Sequence, residues 1–259
     1  MANHSFSSWF PLALFGTLAS CGSQPKVHCT ISRASFAVRY TLQSGSDPCS
    51  QLTGEALGAQ AYVPNFYSTP GDGDNGAIAI QAVEMGTLLA NGEAATPPVS
   101  DADTTHTLYG FGKFAALTPD DQQICSVPTL TQANLNLAEV PAQPGDADAG
   151  VAATEDQPAT QISYQWSNVR IRVSAAQTGL EWTGDLTYRR DGCTANFHAA
   201  AVSPAVSCAA PDGTADPTLC NSQPDANAGR YTGSGINPDL AVLCEPTALL
   251  CVPSTDHPF

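Results

Sequence analysis

Trp182-Thr183-Gly184-Asp185-Leu186-Thr187-Tyr188-Arg189-Arg190-Asp191-Gly192-Cys193-Thr194-Ala195-Asn196-Phe197-His198-Ala199-Ala200-Ala201-Val202 is the stretch that decides the fold. Trp182, Gly184, Leu186 and Tyr188 alternate with polar residues before Asp191-Gly192, and Ala195, Phe197, Ala199 and Ala201 alternate after it. Period-two alternation sends successive side chains to opposite faces, so each run can bury one face as a strand. Asp-Gly tolerates the positive φ of a type I′ turn, which makes the whole stretch a hairpin.

The same alternation continues outward from this hairpin. Ile162, Tyr164 and Trp166 keep one phase while Val169, Ile171 and Val173 keep the other, so the register slips by one near Ser167 and Asn168, as at a β-bulge or a strand break. Farther upstream the pattern recurs at Phe36, Val38, Tyr40 and Leu42, at Leu57, Ala59, Ala61 and Val63, and at Ile78, Ile80 and Ala82. It recurs again at Tyr109 and Phe111 and at Ala133, Leu135 and Leu137. No segment carries a convincing amphipathic helix. About eight strands joined by short loops predict an all-β class, as an antiparallel sandwich or a barrel.

Residues 90–105 and 141–160 are rich in Ala, Pro, Gly, Asp and Thr without periodicity and are expected to be mobile loops, because they cannot offset the entropy of ordering. From Cys208 onward the strand signal thins while Cys, Pro and Gly accumulate, which predicts an irregular segment stapled to the sheet by disulfides. Residues 29–259 are read as a single β domain.

Nine cysteines and a formal net charge of -15 limit the setting. No Lys or Arg occurs between Arg39 and Lys113, nor between Lys113 and Arg170. Such a chain repels phosphate backbones, so nucleic acid is excluded as a partner. If Cys21 is set aside, eight cysteines remain, Cys29, Cys49, Cys125, Cys193, Cys208, Cys220, Cys244 and Cys251. An even number suits disulfides in an oxidising compartment, with the pairing left open. A structural zinc site would want Cys-x-x-Cys, and none occurs.

Cys21 is set aside because of what precedes it. Residues Trp9 to Ala19 form an apolar, uncharged run that is too short to span a bilayer of about 30 Å. The run reads as a signal-peptide core over residues 1–20, although the residues before it carry no Lys or Arg. Leu18-Ala19-Ser20-Cys21 resembles the lipobox of bacterial lipoproteins, and polar Gly22-Ser23-Gln24-Pro25 begins a tether over residues 21–28. The resemblance implies cleavage before Cys21, a diacylglyceryl group on its thiol and further acylation, as palmitate, on the new amino terminus. Two or more chains anchor stably where one does not. Gly22 stands where an Asp would favour inner-membrane retention, so the expectation is a lipid anchor in the outer membrane. An ordinary cleaved secretory signal, leaving Cys21 as an unpaired thiol, is the alternative.

Three further motifs carry a second resemblance. Phe36-Ala37-Val38-Arg39-Tyr40-Thr41-Leu42 precedes Cys49, Asp191-Gly192-Cys193-Thr194-Ala195 follows, and Gly233-Ser234-Gly235-Ile236-Asn237-Pro238-Asp239 precedes Cys244. In this order they resemble an uncharacterised group of Cys-rich lipoproteins of myxobacteria. The resemblance implies a cell-envelope setting and supplies no activity.

The residues offer no catalytic motif. Ser234 lies between glycines, but Thr232 and Ile236 stand where a nucleophile elbow needs Gly. No two of His28, His106, His198 and His257 have the spacing of a zinc protease, and no phosphate-binding loop with a following Lys occurs. Asp72-Gly73-Asp74-Asn75-Gly76 could present oxygens to calcium, but a Gly/Asp-rich turn explains it as well. Arg170 and Arg172 share a strand face, and with Arg189 they could form a basic stripe or simply a solvated face. The reading is a non-catalytic envelope lipoprotein with a structural or surface-interaction role. The alternative is a binding module for a small apolar ligand or glycan. No cofactor, metal or named protein or glycan partner is implied.

Overall fold

A computed structural model describes residues 27–62, 75–145, 153–256 and 259. Cys21, the apolar run before it, Val63 and most of the Asp72–Gly76 turn lie outside the described residues. Eleven strands appear among those described. They are β1 (Ser35–Gly45), β2 (Gly54–Tyr62), β3 (Ala77–Ala82), β4 (Gly110–Lys113), β5 (Ile124–Thr129), β6 (Ala133–Leu137), β7 (Thr160–Val173), β8 (Thr178–Arg190), β9 (Cys193–Val202), β10 (Val242–Glu245) and β11 (Leu250–Pro253).

The first nine form one sheet in the order β4-β3-β2-β1-β9-β8-β7-β5, with β6 also paired to β7, and every pairing is antiparallel. The β8–β9 hairpin turns at Asp191 (φ 47) and Gly192 (φ 90), as the sequence predicts. A bulge falls between Ser167 and Arg170 of β7, with Asn168 at φ 51. It re-aims the second half of β7, so Ile162, Tyr164, Trp166, Val169, Ile171 and Val173 are all buried.

The sheet coils until its two edges touch without closing into a barrel. Thr131 N–H donates to Phe111 O at 2.7 Å and Ala115 N–H to Ser126 O at 2.8 Å, but no ladder joins β4 to β5. This seam inverts one expectation. Tyr109 and Phe111 point outward, and the buried positions of β4 are Gly110 and Gly112. A Cβ on Gly112 would stand 2.6 Å from Thr129 O and 2.7 Å from Val127 Cγ1, so only glycine lets the edges meet.

A helix also departs from expectation. Val83–Ala94 forms α1, which begins at an Ala82 cap with no side-chain bond and runs into the stretch expected to be loop from Ala90. Met85 and Gly92 are its buried residues, and Gly92 sits against Leu137 of β6. Its face is narrow and broken by Gly86 and Gly92, so the helical period is faint in the sequence. Among the described residues no helix is long and apolar enough to cross a membrane.

The inside of the coil is filled by side chains. Trp166, Trp182, Tyr164, Phe36 and Phe197 are all below 2 % exposed. Trp166 and Trp182 meet edge to face at 5.4 Å, and Phe36 meets Trp182 at 6.2 Å. Such pairs contribute about 1 kcal/mol each beyond the area they bury. A second, smaller core lies on the outer face of β1 and β9, where Ala37 and Val202 pack against Ile236, Leu240, Val252 and the cysteines of the C-terminal segment. There the β10–β11 hairpin forms a small separate sheet.

Candidate functional site

The eight remaining cysteines are joined as Cys29–Cys125, Cys49–Cys193, Cys208–Cys244 and Cys220–Cys251, with Cα separations of 5.5, 5.7, 5.9 and 5.4 Å. The first two clamp segments beside β1 to the sheet. The last two lie wholly within the C-terminal segment, so that segment is stapled to itself and held on the sheet by packing. Cys208, Cys220 and Cys251 bring their sulfurs within 4.8 Å of one another. All three are half-cystines, and the thiolate is the metal-binding form.

The β8–β9 hairpin and β6 frame an open cleft of about 510 Å³ on the outer face of the sheet. Register builds its floor, with Asn134 opposite Ser163, Ser163 opposite Arg189 and Arg189 opposite Thr194. Asp103 closes one side. Its Oδ1 accepts from Thr105 N–H at 2.8 Å and Thr105 Oγ1 at 2.7 Å, and its Oδ2 accepts from Asn134 Nδ2 at 3.0 Å. These bonds, the Asn134 amide first, hold the Asp103 carboxyl well below the usual carboxylate range. His106 Nδ1 lies 2.9 Å from both Asp103 Oδ2 and Thr105 Oγ1. A nucleophile–base–acid relay uses the two ring nitrogens separately, so this trio is not one.

Beneath the same end of the sheet, inside the coil, lies the carboxyl of a half-buried glutamate. Glu55 of β2 accepts from Tyr40 Oη at 2.7 Å and from Tyr164 Oη at 3.1 Å. Burial pushes Glu55 up to about 7, against the two tyrosine hydrogen bonds, which pull it down. Burial and then the Glu55 carboxylate raise both tyrosines well above their ordinary value. Arg190 points to the same side and pairs with Glu84 of α1 at 2.6 Å, which ties the start of the helix to the end of β8.

A third cluster sits on the outer face of β8 and β9. His198 Nδ1 lies 3.1 Å from Asp185 Oδ1, and Asn168 Nδ2 donates to Asp185 Oδ2 at 2.8 Å. Burial raises the Asp185 carboxyl, but the bonds from Asn168 and His198 outweigh it and leave the group below its ordinary value. The basic stripe is not assembled. Arg170 pairs with Thr183 of β8, whereas Arg189 pairs with Ser163, seven β7 residues away, or about 23 Å along a strand. Arg172 instead pairs with the buried Glu181 at 3.5 Å.

Glu55, Asp103, Asn134 and Ser163 are among the site residues that the sequence did not single out. Asp103 and Asn134 come together only through folding, and Glu55 carries no motif.

The MlpA family model matches residues 34–204, from the start of β1 to just beyond β9, and so takes in the large sheet. The protein described as "Putative lipoprotein MlpA" from Myxococcus xanthus is 28% identical over 257 residues, covering 93% of this chain and 91% of that one. No solved structure gives a significant match.

Proposed function

The chain belongs to the MlpA family, and from that premise we propose that it is a non-catalytic lipoprotein of the cell envelope with a surface-interaction role. Lipid on Cys21 holds it to the outer membrane, and the sheet presents its far end to a partner. One observation carries this reading. The tether enters the fold at Cys29, which is bonded to Cys125, and Cys125 pairs with Ile171 near the end of β7. The polar cleft lies by Gln161 at the start of the same strand. Ten strand residues separate them, which is about 33 Å. Cys29, where the tether meets the sheet, and the cleft are thus at opposite ends of β7. From Cys21 to Cys29 the chain can reach at most about 28 Å, so the domain stays close to the bilayer with its cleft turned away.

The reading is tested by fractionating envelopes of cells that make the native chain and the Cys21→Ser variant. The native chain is expected in the outer-membrane fraction, with a mass that begins at an acylated Cys21, and the variant in the soluble fraction with an unchanged melting temperature. A native chain that retains residues 1–20, or a variant that stays membrane-bound, would overturn it.

A further inference from the structure

We propose that the cleft between β6 and the β8–β9 hairpin binds a glycan that carries a carboxylate. The proposal deepens the surface-interaction reading and rests on it for its biological setting alone. Asn134, Ser163, Arg189 and Thr194 stand in one row across four hydrogen-bonded strands. Neighbouring strands lie about 4.8 Å apart. The row therefore offers an amide, a hydroxyl, a guanidinium and a second hydroxyl at a pitch comparable to the advance of one ring in an extended glycan. Gln161 and Asn136, opposite one another, add two amides beside it.

Part of this surface is fixed before any ligand arrives. Gln132 Nε2 donates to Asn134 Oδ1 at 2.7 Å, and Asn134 Nδ2 donates to Asp103. A side chain already held in place loses little entropy on binding.

Arg189 selects the charge. In a chain with 24 acidic and 9 basic residues it makes no ion pair among the described residues, while its neighbour Arg190 holds Glu84 and Asp191. An exposed guanidinium between two hydroxyls presents a planar fork that fits one carboxylate through two parallel bonds. The lining also holds Arg190 and the carboxylates of Asp103 and Asp191. Arg190 is paired with Asp191 and Glu84, and Asp103 is held by Thr105 and Asn134, so Arg189 is the unpaired cation among the described residues of the cleft and suits a monoanion better than a phosphate dianion. Among the described residues no aromatic ring lines the cleft, so binding relies on hydrogen bonds and one ion pair and is salt-sensitive.

The test titrates the mature full-length Cys21→Ser chain by calorimetry with uronate oligosaccharides and with maltohexaose of equal length. Uronate binding is expected to be at least ten-fold tighter than maltohexaose binding. It should also weaken at least ten-fold in Arg189→Gln, several-fold in Asn134→Ala, and with added salt. The exposed Arg189 lets its variant fold, which an unchanged melting curve verifies. Absent uronate binding, equal affinity for the neutral sugar, binding indifferent to Arg189→Gln, or competition by equimolar inorganic phosphate would each overturn the proposal. None of these results bears on membrane fractionation, so failure of the cleft and failure of the anchor are told apart.

Discussion

Tyr40 Oη donates a 2.7 Å hydrogen bond to Glu55 Oε1, while Tyr164 holds the other carboxylate oxygen. Burial favours the neutral acid, so Glu55 binds its proton more tightly when folded, at about 7, than at its ordinary value of 4.5. Its contribution to stability is therefore full below about 4.5 and is lost as pH rises through about 7. The native chain should melt higher at pH 5.5 than at pH 8. In Glu55→Gln, which keeps the shape without the charge, much of that difference should disappear, and what remains includes Glu181, also raised by burial. Thermal unfolding by circular dichroism at the two pH values checks this.

The glycines of the seam and of the hairpin should fail for different reasons. Gly112→Ala puts a methyl group into Thr129 O and Val127 and should cost about 1–3 kcal/mol by overpacking. Gly192→Ala meets no atom within 4 Å, and its cost of about 1 kcal/mol would come from φ +90 alone. Gly58→Ala, whose nearest neighbour is Gln81 O at 3.9 Å, serves as the mild control. Urea denaturation of the three variants would rank them in that order.

Loop length ranks the disulfides. Cys49–Cys193 spans 144 residues, Cys29–Cys125 spans 96, and the two C-terminal bonds span 36 and 31. On the chain-entropy account the double Ser variant of the first pair should lose about 5 kcal/mol and that of Cys208–Cys244 about 4 kcal/mol. Loss of the C-terminal pair should also leave the sheet's tryptophan fluorescence intact, because the large core lies inside the coil and the stapled segment lies outside it.

Trp182 is wholly buried, and its Nε1 has no hydrogen-bond partner among the described residues. Trp182→Phe removes an unsatisfied donor along with some volume, so it should cost well under the roughly 3–5 kcal/mol of Trp182→Ala. Equal losses in denaturant melts would mean that the indole N–H is satisfied after all.

The hairpin from Trp182 to Val202 was legible because its alternation and its turn are both local. The bulge at Asn168 was legible for the same reason, as a change of phase within one strand. Tyr109 and Phe111 were misjudged because the approach of β5 to Gly110 and Gly112 is a meeting of distant segments that no local period records. Helix α1 was hidden by its two glycines and uncapped start. Pro128 and its short length masked β5, an edge strand in which proline is tolerated. The cleft was invisible for a related reason. Asn134, Ser163, Arg189 and Thr194 come from four strands, and only their register makes them neighbours.

The Cys29–Cys125 bond has a mechanical consequence. A pull on the chain from its N-terminal side reaches Cys29 before it reaches β1, which begins at Ser35. The load passes through a covalent bond into β5 and its ladder with β7. β1, in the interior of the large sheet between β2 and β9, is shielded from being unzipped one hydrogen bond at a time. Tension at the attachment point thus enters the sheet at β5 and bypasses β1, so the strand nearest the leash in sequence is not the one that bears the load.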